Sequence, residues 1–212
     1  SSPLDQLQPK LQTRDYPKPG DALSQYCPVV YNLEKNSLFQ TDKALIDNQF
    51  SVSRIDWRDN SRAITFEFNK RGHQQYAVVE LDAVVGASKY LINETNKTFI
   101  DYSGKRYRFD IQDGKEIIWA SERDGWNHLY LYDGQTGTVK KQITKGEWVV
   151  RRVVSVDTTA REIVFEASGK NKGQDPYFTH YYRIDFEGKN VKELTNENAN
   201  HTGYFSPNSA YF

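Results

Sequence analysis

The sequence predicts an all-β fold: a partial β-propeller of about three four-stranded antiparallel blades with an incomplete blade at each end. Three observations predict it. A strand–turn–strand unit recurs along the 212 residues. Its turn residues Asp59, Asp113, Asp157 and Pro207 lie 54, 44 and 50 residues apart, which is blade spacing. The strands alternate, as in Ile64-Thr65-Phe66-Glu67-Phe68 and Leu129-Tyr130-Leu131-Tyr132, so that successive side chains leave opposite faces. Aromatic residues make up 14% of the chain, with 14 Tyr and 11 Phe, and such residues fit a pleated, half-buried surface. A β-sandwich also has many short strands, but it does not repeat one unit in series.

Each element follows from local chemistry. Residues 1–25 read as an extended connector, because Pro3, Pro9, Pro17 and Pro19 with Gly20 forbid a long helix; a short helical turn over Leu4–Leu11 is allowed. The propeller is expected over 26–212. Val29 to Leu33, the turn Glu34-Lys35-Asn36 and Ser37 to Asp42 form a hairpin, an incomplete blade at 28–43. Complete blades are expected at about 50–94, 105–145 and 147–196. Their third strands are Gln75–Leu81, His128–Tyr132 and Thr179–Phe186, and their fourth are Lys89–Asn93, Val139–Thr144 and Val191–Thr195. Residues 201–212 read as a strand and a turn opening one more blade.

Composition excludes several functions. Lys+Arg and Asp+Glu both number 28, so no basic surface invites nucleic acid. No run approaches the ~18 apolar residues of a membrane span. The start Ser1-Ser2-Pro3 lacks a leader-like pattern, and the chain reads as a piece of something larger. The lone Cys27 forms no internal disulfide and reads as a small buried hydrophobe.

No catalytic residue is expected. A Gly-x-Ser-x-Gly nucleophile elbow is missing from the sequence, and Ser103-Gly104 and Ser168-Gly169 read as hairpin-like loops. His73, His128, His180 and His201 show no ligand spacing, so no metal and no cofactor is expected; His73 and His128 read as making local hydrogen bonds. Asp59, Asp113, Asp124, Asp133 and Asp157 read as turn aspartates that cap their own backbone. Asn93, Asn96 and Asn200 begin glycosylation-type triplets, which matter only in a eukaryotic secretory route.

Three stretches carry a family resemblance. Trp119-Ala-Ser-Glu-Arg-Asp-Gly-Trp-Asn-His-Leu-Tyr-Leu-Tyr-Asp133, followed by Ile143-Thr-Lys-Gly-Glu-Trp-Val-Val150, resembles the propeller of dipeptidyl-peptidase-IV-type serine peptidases, particularly bacterial ones. Tyr16-Pro-Lys-Pro-Gly-Asp21 resembles that family's connector, and His201 to Pro207 a late blade opening. The resemblance implies a parent with an α/β-hydrolase domain bearing a Ser-Asp-His triad, which removes N-terminal dipeptides after Pro or Ala. It implies that the propeller shapes and gates the active-site cavity, and that peptide substrates are engaged through the hydrolase domain. The family's amine-gripping glutamate pair belongs just before the connector, and no Glu-Glu pair occurs here. An exported, periplasmic or secreted location and a homodimeric parent are further implications.

The same resemblance points to Phe99-Ile-Asp-Tyr-Ser-Gly-Lys-Arg-Tyr-Arg108, where relatives carry an aromatic–Arg pair lining the cavity. Tyr107-Arg108 matches the dipeptide type, whereas an ungapped register puts Tyr102 there with Ser103 in place of the Arg. Tyr102 and Arg106 are the substrate-facing candidates. Two other readings compete: a free-standing propeller that binds proteins or glycans, and a propeller glycosidase. The first lacks the Gly-His…Trp-Asp repeat pattern and has too few blades to close a ring. The second needs two acids held at a set separation. Open blade edges lead us to expect self-association of the isolated piece.

Overall fold

Four antiparallel sheets follow one another along the chain. The computed structural model describes residues 4–208 and 210–212. A two-stranded sheet pairs β1 (Val29–Asn32) with β2 (Ser37–Gln40). A single 3-10 turn over Lys43–Ile46 leads to the first complete blade. That blade comprises β3 (Gln49–Trp57), β4 (Ala63–Lys70), β5 (Gln75–Asp82) and β6 (Ser88–Thr95), side by side in chain order. The second comprises β7 (Arg108–Ile111), β8 (Glu116–Ser121), β9 (His128–Asp133) and β10 (Val139–Gln142). The third comprises β11 (Val149–Asp157), β12 (Glu162–Ser168), β13 (Thr179–Asp185) and β14 (Lys192–Glu193). The chain is therefore a partial β-propeller, as the repeat predicts.

The middle strands of the first two blades are the most deeply buried. β4, β5, β8 and β9 are buried along nearly their whole length, because both faces of a blade pack on neighbours. Leu129, Leu131 and Ile118 of the second blade pack in one cluster with Phe165, Tyr182 and Ile184 of the third. Within it Trp148, Phe165 and Tyr182 stack in a column, with ring centroids 5.9 and 5.7 Å apart. First strands are more open, and in a propeller they border the central channel.

Glycines set how closely successive blades approach. A Cβ on Gly137, in the β9–β10 turn at φ 73°, would overlap the Leu91 carbonyl of β6. A Cβ on Gly188, in the β13–β14 turn, would sit 2.7 Å from the Ile143 carbonyl just past β10. Gly86, in the β5–β6 turn, stands equally close to the Phe39 ring of β2. In each case the third-to-fourth turn of a blade docks on the fourth strand of the one before. By that correspondence β1 and β2 are the outer half of a blade.

Four expectations are corrected. Leu4–Leu11 forms no helical turn: Leu4-Asp5 make an isolated turn and Leu7-Gln8 bend. Leu4, Leu7 and Leu11 are all fully exposed, so a helix there would have no surface to pack on, and isolated short helices are marginal. Residues 201–212 contain no strand among the described residues. Their one backbone bond to a strand among the described residues is His201 N to Thr179 O of β13 at 3.1 Å; Ser206 N donates within the segment to Tyr211 O at 2.9 Å, and Phe212 packs on the Tyr181 ring. β7 begins at Arg108, not Lys105, because Lys105 and Arg106 are drawn into ion pairs described below. Asp113 accepts from Asp59 N of the preceding blade at 2.7 Å, where self-capping was expected, because equivalent turns of neighbouring blades lie side by side. Asp124, Asp133 and Asp157 do cap their own turns.

Candidate functional site

Polar side chains concentrate at the seam between the first two complete blades. Glu67 lies in the middle of β4, between Phe66 and Phe68, and is buried. An uncompensated carboxylate there would be costly, and three arginines answer it. Arg106 Nη1 donates to Oε2 at 2.7 Å, Arg54 Nη1 to Oε1 at 3.4 Å, and the buried Arg108 lies 3.9 Å away. Tyr76 Oη on β5 donates to the same carboxylate at 2.7 Å, and Arg106 in turn donates to Tyr76 Oη. Burial, then the Glu67 charge, pushes the Tyr76 hydroxyl well above its ordinary range.

A second knot adjoins it. Asp110 on β7 accepts from Arg108 Nε and Nη2 and from Arg58 Nη1, at 2.6 to 2.7 Å. Burial acts to raise this carboxyl, but the hydrogen bonds from Arg108 and Arg58 outweigh it and hold the group below its usual range. Burial pushes the Tyr107 hydroxyl up to about 12 against the opposing charge of Arg54. Arg54 sits at φ 52° within a bulged stretch of β3, and its Nη1 also reaches Arg108 O at 3.2 Å. Bulges commonly re-aim a side chain; here one ties the first strands of two blades together.

The loop joining these blades is clipped at both ends. Ile100 N donates to His73 O at 2.8 Å and Asn96 N to Gln74 O at 2.9 Å. Asp101 accepts from Ser103 N and Gly104 N, folding Asp101–Gly104 into a turn. Tyr102 stacks on the His73 ring, centroids 4.4 Å apart, with Phe50 and Phe99 around the pair. His73 Nδ1 lies 3.1 Å from Asn69 Oδ1, and burial lowers the pKa of its imidazole.

Beneath the loop lies a cavity of about 30 Å³, room for one water. Tyr102 and Arg106 both line it, with Tyr76, Trp119 and Glu94. Glu94 accepts from Trp119 Nε1 at 3.0 Å, from Arg123 Nη2 at 2.9 Å and from Ser121 Oγ. The two residues singled out from sequence thus share one wall. Arg106 is anchored in the Glu67 knot, Tyr107 is half-buried, and Arg108 points into the seam as a structural ion-pair partner. Glu67, Tyr76, Glu94 and Arg123 went unnoticed in the sequence. The legible signal was Glu67 itself, a carboxylate inside a strand whose two faces both pack on blades.

Two other residues singled out from the sequence, His128 and Cys27, have structural partners. His128 is buried, with its ring nitrogens 3.0 and 2.9 Å from Thr144 Oγ1 and Gly146 O. Cys27 is half-buried near Thr41 O. Among the described residues no group of three or more His, Cys, Asp or Glu is placed to hold a metal ion, and no helix is long and apolar enough to cross a membrane.

A fold of serial blades with a polar, loop-roofed seam can be set beside known proteins. The model for the dipeptidyl peptidase IV N-terminal region matches residues 2–212. The chain belongs to this family. Dipeptidyl peptidase 4 of Trichophyton equinum is 29% identical over 130 residues, 60% of this chain and 15% of that protein. The probable dipeptidyl-aminopeptidase B of Coccidioides posadasii is 22% identical over 218 residues, 97% of this chain and 23% of that protein. The crystal structure of Porphyromonas gingivalis dipeptidyl peptidase 4 superposes with a TM-score of 0.70 at 22% identity, over 92% of this chain and 26% of that one. The chain therefore spans about a quarter or less of these relatives, and the structural likeness carries the fold.

Proposed function

We propose that this propeller segment serves a serine exopeptidase that removes N-terminal dipeptides. The segment is non-catalytic, and it shapes and gates the path to an active site carried by a separate hydrolase domain. Peptides are its substrates, and export from the cytoplasm suits that activity. The observation that carries the proposal is the shared placement of Tyr102 and Arg106 on one cavity, in a loop that enters the first strand of a blade. Such strands border the channel through which a peptide would approach. The clipped loop supplies the gate, since the cavity beneath it has room for about one water and for no side chain.

Kinetics on a longer protein carrying this chain and the hydrolase domain test the proposal. Tyr102→Ala should raise KM for a dipeptidyl-prolyl anilide about tenfold, with a smaller change in kcat. The 212-residue chain alone should not turn the anilide over. An unchanged KM removes Tyr102 from the substrate path, and turnover by the chain alone overturns the non-catalytic reading.

A further inference from the structure

A second cavity, of about 180 Å³, lies between the second and third blades on the other side of Lys105-Arg106. Four cations line it, Lys105, Arg106, Arg151 and Arg152, and no carboxylate does. Three of them already have acidic partners outside the cavity: Glu122 at 2.5 Å, Glu67 at 2.7 Å and Glu166 at 2.5 Å respectively for Lys105, Arg106 and Arg152. Arg151 has no carboxylate within ion-pair distance among the described residues. It donates only through Nε, to Ser168 Oγ at 3.2 Å. Its place is specific: the β11–β12 register slips between Val150 and Arg152, so Arg151 is the bulged residue, and a bulge re-aims its side chain.

Asn127 stiffens one wall of the cavity. It is 2% exposed and lines the cavity. Its Nδ2 donates to Val150 O at 2.8 Å, which fixes the orientation of the amide, since a carbonyl can only accept. Its Oδ1 is buried and receives no donor from the described residues. With under 1 Å² accessible, that oxygen lies behind the cavity wall. Leu129, Val150 and Val153 form an apolar floor beside it.

We infer that this cavity binds a peptide carboxylate: Arg151 takes the carboxylate, and the floor holds the apolar side chain of the same residue. A guanidinium matches a carboxylate through two parallel N–H donors, and a neutral anion-free apolar ligand would leave that charge unanswered. The inference stands independently of the exopeptidase proposal, because it concerns only groups within this chain.

The test titrates N-acetyl-alanyl-leucine into the full 212-residue chain, read by calorimetry and by the side-chain amide resonances of Asn127. The free acid should bind and move those resonances, and its C-terminal amide should bind at least about tenfold more weakly. Arg151→Gln should weaken the free acid by a similar factor while circular dichroism stays unchanged, since Arg151 is exposed. An amide that carries an internal Asp distinguishes a side-chain source of the carboxylate from a C-terminal one, and binding of either supports the site. Equal affinity for acid and amide, indifference to Arg151→Gln, displacement by inorganic phosphate at the same concentration as the peptide, or no binding at millimolar peptide would overturn it.

Discussion

The two blade-to-blade seams of this chain are built from different chemistry. Between the first and second complete blades, an apolar cluster of Tyr76, Val78, Leu91 and Ile92 against Ile117, Trp119, Tyr130 and Tyr132 is joined by a charge network: buried Glu67 and Arg108 and partly buried Asp110, with Arg54, Arg58 and Arg106 closing around them. Between the second and third, apolar packing dominates, with Phe165 and Tyr182 fully buried against Leu129 and Leu131. Its ion pairs, such as Arg161 to Glu116 at 2.7 Å, sit nearer the surface. Apolar packing is tolerant of small shifts and insensitive to pH. A buried charge network is directional, and loss of one member exposes the rest to an unpaired environment. Apolar packing holds the blades together at both seams, and the charge network added at the first holds its loop in one place.

Substitutions can break this contrast. Phe165→Ala should cost the most, about 3–5 kcal/mol in chemical denaturation, while hydrogen exchange in residues 99–104 stays as in the parent chain. Glu67→Gln should cost less, about 1.5–3 kcal/mol, the range for hydrogen bonds to charged groups. It should speed exchange across 99–107, because Arg106 loses its anchor. Equal effects of both substitutions on the loop would erase the distinction between the seams. Gly137→Ala should cost about 1–3 kcal/mol by overpacking against the Leu91 carbonyl, and it should do so without altering the loop.

Acidity sharpens the comparison with smaller effects. The folded-state pKa of Asp110 lies below its ordinary 3.8. Its contribution is therefore fully present above 3.8 and is lost as pH falls through the lower folded value. Acid unfolding followed by exchange should open the polar seam before the apolar one; simultaneous opening contradicts this. The His73 imidazole has a folded value below its ordinary 6.5 because of burial. The unfolded chain thus takes up the proton first, and the support given by the neutral ring is complete above 6.5 and declines below it. Exchange at Ile100 and Tyr102 should quicken modestly below that pH, and His73→Phe should flatten the dependence. Light scattering on the isolated chain tests self-association through the open edge of β1, for which a monodisperse monomer is the contrary result.

Much of the architecture was legible because blades repeat. The turns after Trp57, Ile111 and Val156 share one pattern, and the alternation in Ile64–Phe68 and Leu129–Tyr132 marks strands directly. Residues 201–212 misled because a strand needs a ladder of partners as well as a pattern, and only His201 N bonds to a neighbouring strand among the described residues. The site was legible only in part. Tyr102 and Arg106 stood out through a family resemblance, whereas Glu67 and Asp110 are 43 residues apart and meet only across a seam. Arg151 was invisible for a related reason, since its isolation from carboxylates is a fact of three-dimensional neighbourhood.

Gly86, Gly137 and Gly188 carry a geometric consequence. Each marks where one blade leans on the next, so the fan angle between blades is set by backbone thickness at Gly137 and Gly188 and by the Phe39 ring at Gly86. A ring closes only when every angular step is the same, and a contact between glycine and a carbonyl or ring leaves little room for variation. A single methyl group at one step would widen that wedge and pass the error to every later blade, so curvature here is controlled by three hydrogens.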